Sequence, residues 1–189
     1  MTGRRPGRAA AVGFGSLAVA VLLTSACTIP SLTSPPWEPH AAAPAGAGPC
    51  GTTREAHLVV TSVARRVTLC YERREVKSFK VRLARNGPGK IRAGDARLPL
   101  GTYKLGVPRD SEKYGLFIPI GYPTARQAAA GYTGDAIGVH GPPRATRWLG
   151  SLVDNFVKTQ GCVGLATDGQ MRQVAAFVRA RHVRTVSIR

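Results

Sequence analysis

Cys162 lies in the segment Thr159-Gln160-Gly161-Cys162-Val163-Gly164-Leu165, and His140-Gly141 lies 22 positions upstream, at the end of the apolar run Ala136-Ile137-Gly138-Val139. A thiol beside glycine, with a histidine supplied from another part of the fold, suits thiolate acyl-transfer chemistry. The imidazole takes the thiol proton, and the glycine lets backbone N–H groups approach a developing oxyanion. Each residue alone has a plainer reading: Cys162 as a buried cysteine in a glycine-rich turn, His140 as a satisfied polar group at a strand end. Cys70 has no glycine beside it and is a poor nucleophile; His57 and His182 fall at element ends and His40 in a linker. No two Cys or His residues have metal-ligand spacing, so neither a metal nor another cofactor is expected.

The elements that must position this pair read as mostly β. His57 to Val63 is rich in β-branched residues and reads as a strand. Val67, Leu69 and Tyr71 alternate with Thr68 and Cys70, and Val76 to Leu83 alternates again, the period of half-buried strands. Asn86-Gly87-Pro88-Gly89 is a turn. Leu98 to Leu105 turns into another strand, and Leu116 to Tyr122, Ala136 to His140 and Val183 to Ile188 complete the set. Helical spacing appears twice, in Trp148, Leu149, Leu152, Val153 and Phe156, and in Met171, Val174, Ala175 and Val178. Thr167 with Gln170 three residues on has the capping-box pattern at the second. No internal repeat is present.

The 189 residues divide into appendages and one domain. Residues 1–27 read as a signal peptide: Arg4, Arg5 and Arg8 precede an uncharged apolar stretch, Ala9 to Leu23, and then Leu23-Thr24-Ser25-Ala26-Cys27. Small residues before a cysteine form a bacterial lipoprotein signal with Cys27 as the lipidated residue. Ordinary signal-peptidase cleavage and an uncleaved anchor are the alternatives, and all three export the domain. Residues 28–54, rich in Pro, Ala and Gly, read as an extended tether. The folded domain is expected over residues 55–189. Four cysteines are present. If Cys27 is lipidated and Cys162 stays free, Cys50 and Cys70 remain to pair in an oxidising compartment, or Cys70 is a buried thiol and Cys50 is idle. The net charge is +17, and +14 without residues 1–26, which favours anionic partners. Arginine is spread along the chain and no nucleic-acid motif appears, so nucleic acid is not expected; anionic envelope polymers are.

With these residues in place, the chain resembles the YkuD-type L,D-transpeptidase catalytic domain. His140-Gly141 and Thr159-Gln160-Gly161-Cys162-Val163-Gly164 occupy the places of the family's His-Gly and Ser/Thr-His-Gly-Cys-Ile/Val-Arg/Asn segments. Gly94-Asp95 followed by Pro99-Leu100-Gly101-Thr102-Tyr103 is similar to its Gly-Asp and Thr-Pro-x-Gly-x-Tyr stretch, and Leu58 to Tyr71 to its opening hairpin. Gln160 replaces the family's second histidine and Gly164 its arginine or asparagine. A YafK-like branch lacks both and has His-Gly-x-Pro before a longer insert, which Pro143 and Arg144 to Lys158 match.

The resemblance implies a mainly β fold, an L,D-transpeptidase-like β-sandwich with two helices in its C-terminal half. It implies that Cys162 attacks a carbonyl of a peptidoglycan stem peptide, with His140 as general base and the Gly161 backbone at the oxyanion. Gly141, Thr159, Gln160 and Arg144 are the residues it implies for substrate binding: Thr159 and Gln160 orient His140 or the substrate amide, and Arg144 and Arg147 either bind stem carboxylates in place of the lost arginine or form a solvated helix start. The acyl-enzyme passes to an amine, in cell-wall transpeptidation, or to water, in an amidase or hydrolase that releases groups attached to peptidoglycan. A non-catalytic peptidoglycan-binding lipoprotein keeps the same fold and tether. The partners implied are stem peptides and, through Cys27, a membrane, with the domain facing the periplasm or cell wall.

Overall fold

The computed structural model describes residues 48–148 and 158–189. The signal segment with Cys27, the linker up to residue 47, and the helix expected from Trp148 to Phe156 (beyond its first residue) lie outside the described residues.

Among the described residues there are nine strands and two helices. The strands are β1 His57–Thr61, β2 Arg66–Tyr71, β3 Arg74–Arg82, β4 Gly101–Lys104, β5 Arg109–Ser111, β6 Gly115–Pro119, β7 Gly138–His140, β8 Val163–Leu165 and β9 Thr185–Ile188. The helices are α1 Ala125–Ala129 and α2 Asp168–Ala180. The strands hydrogen-bond in the order β4-β9-β1-β2-β3-β8-β7-β6-β5. Strand β3 serves both halves of the sheet: its first part pairs with β2, while Val81 and Arg82 pair with Leu165 and Gly164 of β8. At the far ends Leu105 meets Ile120 in an isolated bridge, and the Gly106 N–H donates to Pro119 O at 2.8 Å. The sheet therefore curls back on itself and encloses one core, which removes most of the exposed edge.

The alternation seen in the sequence sorts residues between two sides. Leu58, Val60, Val67 and Leu69 enter the main core, while Val59 and Cys70 pack with Cys50 in a small cluster on the other side. Cys50 and Cys70 form a disulfide. Residues 48–54 of the expected linker are thus fastened to the domain, and Arg189 Nη2 to Pro49 O (2.7 Å) and Glu72 N–H to Arg54 O (2.9 Å) add to the attachment. Helix α2 starts at Thr167, whose Oγ1 accepts from Gln170 N–H; the Gln170 side chain accepts from Ala166 N–H rather than closing the box on Thr167. Its buried stripe of Met171, Val174, Ala175, Phe177 and Val178 lies in the core. Each large apolar side chain so buried contributes about 1.5–3 kcal/mol.

Helix α1 and strands β5 and β8 are additions to the sequence reading. Helix α1 buries no residue, so it shows no apolar stripe, and its signal is the capping box that Thr124 makes with Gln127. Strands β5 and β8 have three residues each, too few for a period to register. The strand expected to run from His57 to Val63 stops at Thr61, because the chain turns over Ser62 to Arg65 with Arg65 at φ +49°.

Candidate active site

Strands β7 and β8 run parallel, with Val139 opposite Val163 and His140 opposite Gly164. One step back along the same register, Cys162 falls beside Gly138. Alternate residues share a sheet face, so Cys162 and His140 lie diagonally on one face, with a glycine next to each. The same row continues across four strand pairs: Arg82 pairs with Gly164, His140 with Phe117, and Phe117 with Arg109. Every member of this row that has a side chain lines one cavity of about 870 Å³, together with Cys162. A Cβ at Gly164 would stand 3.5 Å from Arg82 Nε and 3.4 Å from Thr159 Cγ2. These are ordinary van der Waals distances, so the position has room for a small side chain beside Arg82 and Thr159.

His140 is 4% exposed. Its Nδ1 lies 2.7 Å from Gly141 O. A carbonyl only accepts, so Nδ1 carries the proton and Nε2 holds the lone pair. That Nε2 is buried and meets no partner among the described residues. Tyr114 stacks on the imidazole with ring centroids 3.8 Å apart, and Phe117 lies behind at 6.5 Å. Burial drives the His140 pKa down to about 4; the Gly141 carbonyl opposes this, and the positive charges of Arg82 and Lys113 reinforce it. The ring is therefore neutral at pH 7, as a base must be.

Cys162 is a free thiol, 3.5 Å from Ala136 O. Burial pushes the thiol above its ordinary pKa, against the opposing effects of the Gly138 backbone, Lys113 and Lys90. The resting pair is thus a neutral thiol beside a neutral imidazole, not an ion pair. Gly161 just before it has φ +138°, and a Cβ there would meet Arg97 O at 3.0 Å and Ile137 Cδ1 at 2.9 Å; only glycine fits without displacement.

Two networks brace this turn. Thr159 Oγ1 donates to Cys162 O at 2.6 Å and accepts from Gly161 N–H at 3.4 Å, while the Thr159 backbone bonds Leu83 and Arg85. On the other side, Lys90 is 4% exposed, and its Nζ donates to Asp95 Oδ1 (2.9 Å) and Arg92 O (3.0 Å). Burial raises the Asp95 pKa, but Lys90 and the N–H groups of Ile91, Arg92 and Arg97 outweigh it and hold the carboxyl well below the usual range. The Lys90 Cδ lies 3.7 Å from where a Gly161 Cβ would be.

The structure brings Cys162, His140, Thr159 and Gln160 to the same cavity. Gly141 acts through its carbonyl on His140. Arg144 is exposed and does not line the cavity; its backbone N–H donates to Lys113 O at 2.8 Å. Arg147 pairs with Asp168 at 3.3 Å. Arg82, Lys90, Arg109, Lys113, Tyr114 and Phe117 also line the site, and the sequence reading had not singled them out. Arg82 carried a signal: it is a charge between Val81 and Leu83 in a strand, and it is 3% exposed. Among the described residues no cluster of His, Cys, Asp or Glu is fit to hold a metal ion.

No curated protein matches the chain. Among solved structures, the helical cell shape determining protein Pgp2 from Campylobacter jejuni is similar at 27% identity and TM-score 0.59, over 71% of this chain and 47% of that one. Bd1075 from Bdellovibrio bacteriovorus shares the fold at 17% identity and TM-score 0.52, over 73% of this chain and 48% of that one. The chain spans about half the length of these two solved structures. A family model described as the YkuD L,D-transpeptidase catalytic domain matches residues 56–188, from the residue before β1 to the end of β9, and takes in both Cys162 and His140. The chain belongs to the YkuD family of L,D-transpeptidase catalytic domains.

Proposed function

We propose that this chain is a peptidoglycan L,D-transpeptidase that transfers an acyl group from a stem peptide through a thioester on Cys162. The observation that carries the reading is the β7–β8 register, which sets Cys162 and His140 on one face of one cavity, with Nε2 of His140 as the lone-pair nitrogen. His140 Nε2 takes the Cys162 proton as sulfur attacks the peptide carbonyl. The same proton then goes to the departing amine, and the thioester remains. An incoming amine of a second stem, or water, attacks the thioester and releases Cys162. Backbone N–H groups at the Gly161-Cys162 turn receive the oxyanion. Gln160, exposed on the cavity wall, is a contact for substrate amides. Residues 1–27 export the chain as a lipoprotein on Cys27, and the domain works in the cell envelope at the end of its tether.

The test is incubation of the protein with peptidoglycan sacculi, with Cys162→Ala alongside, followed by digestion and mass spectrometry. New stem-to-stem dimers that need Cys162 establish transpeptidation. Cys162-dependent loss of an attached group without dimers establishes a hydrolase. No Cys162-dependent product in either form refutes the enzyme reading in favour of a binding lipoprotein.

A further inference from the structure

The cavity holds more positive charge than the Cys162–His140 pair uses. Five cations line it: Arg82, Lys90, Arg109, Lys113 and Lys158. The Lys90 ammonium is bound to Asp95 and to Arg92 O. Arg82 is buried and donates to Leu165 O at 2.7 Å. Arg109 lies over the Phe117 ring at 5.6 Å.

Lys158 is exposed beside Thr159, and its charge acts on neither catalytic group, whereas that of Lys113 acts on both. Lys113 is exposed, at the turn between β5 and β6. Its backbone is held from two sides: the next residue, Tyr114, stacks on His140 at 3.8 Å, and its own carbonyl accepts the Arg144 N–H at 2.8 Å. Its Nζ lies 5.3 Å from the Tyr114 ring centroid. Among the described residues it forms no ion pair, although Asp110, Glu112 and Asp135 line the same cavity. Its charge reaches both catalytic groups, helping to hold the His140 pKa down and opposing the rise at Cys162. A compact ammonium fixed in this way suits an anion delivered next to the thiol.

We propose that Lys113 is the carboxylate clamp of the cavity: its ammonium binds a free carboxylate on the acyl donor, close to the carbonyl that Cys162 attacks. The inference rests on the acyl-transfer reading for the identity of the donor, and on the placement of Lys113 for the clamp itself. It selects donors that end in an acid over amidated ones, and it gives this role to the β5–β6 turn in place of Arg144.

The experiment compares alkylation of Cys162 in the full chain by iodoacetate, which carries a carboxylate, and by neutral iodoacetamide. Both probes lose iodide to the same thiolate, so any change in Cys162 ionisation cancels in the ratio of their rates. Lys113→Met is expected to lower the iodoacetate-to-iodoacetamide ratio about tenfold, the order set by one unit charge several ångströms away at intermediate dielectric. Lys113→Arg retains the ratio, and Lys158→Met changes it by less than about twofold. Added salt lowers the wild-type ratio toward that of Lys113→Met. An unchanged ratio in Lys113→Met, or a tenfold fall in Lys158→Met instead, overturns the proposal. The readout needs no turnover, so the clamp and the acyl-transfer reading fail separately.

Discussion

His140 makes the stability of the domain depend on acid in a way that one substitution isolates. Burial holds its pKa at about 4 in the fold, against 6.5 for the ordinary side chain. The unfolded chain therefore binds a proton in the window between these values, and the folded chain does not. Stability from this group is fully present above about pH 6.5 and is lost as the pH falls toward 4, because the unfolded state gains the proton first. From pH 7 to 4.5 the loss is about 2–3 kcal/mol. In urea, with an m-value of about 1–3 kcal/mol/M, that is a fall of about 0.7–3 M in the midpoint. The perturbation is His140→Gln, which keeps a polar side chain but does not titrate. Urea midpoints of wild type and variant, measured at the two pH values, give the slope due to this residue, since the other titrating groups cancel in the comparison. The wild type is expected to lose about 2–3 kcal/mol more than the variant. Parallel pH curves for the two proteins refute the neutral, buried imidazole and the base assignment built on it.

Two further outcomes test the same geometry. Burial pushes the Cys162 thiol above its ordinary 9.0, so its alkylation by iodoacetamide is expected to climb steadily through pH 9 with no plateau nearer neutrality; a plateau beginning below pH 7 shows a preformed thiolate–imidazolium pair instead. Gly138 stands beside Cys162, and a Cβ there would overlap the Phe117 ring and approach Ile118 O at 2.6 Å; Gly138→Ala is expected to cost at least about 1–3 kcal/mol in urea unfolding, and an unchanged midpoint contradicts the tight β6–β7 pairing.

Much of the site was legible because its chemistry lies in two short segments. Cys162 beside Gly161, and His140 at the end of an apolar run, are local signals, and the apolar period of Met171 to Val178 located α2 to within a few residues. The row Arg82, Gly164, His140, Phe117 and Arg109 was not legible, because it is assembled from five strands by register, and register is a property of pairing rather than of any one segment. The contrast between Arg144 and Lys113 has the same origin. Arg144 follows His140 closely in sequence and so drew the carboxylate role. The backbone bond that the Arg144 N–H makes to Lys113 O ties this segment to the β5–β6 turn, whose lysine comes from 27 residues before His140. Thr159 is a milder case: its position next to the nucleophile suggested a contact to substrate or to His140, but its hydroxyl is spent on the Cys162 carbonyl.

The two ionisations, taken together, limit how the chemistry can begin. With an ordinary thiol at 9.0 and His140 at about 4, moving the proton from sulfur to nitrogen costs about 7 kcal/mol, five units at 1.36 kcal/mol each, before the attraction between the two new charges offsets part of it. The burial of Cys162 adds to the cost. A turnover of a few per second allows a total barrier of about 17 kcal/mol, so ionisation in advance would take up a large share of it. The arrangement favours proton transfer in step with attack, when the negative charge passes from sulfur to the carbonyl oxygen and the backbone at Gly161-Cys162 receives it. A carboxylate placed on Lys113 does not change this, because the same charge holds the His140 pKa down and opposes the rise at Cys162, and cancelling it raises both. The route left open is attack on the bound carbonyl with the proton leaving sulfur for His140 in the same step.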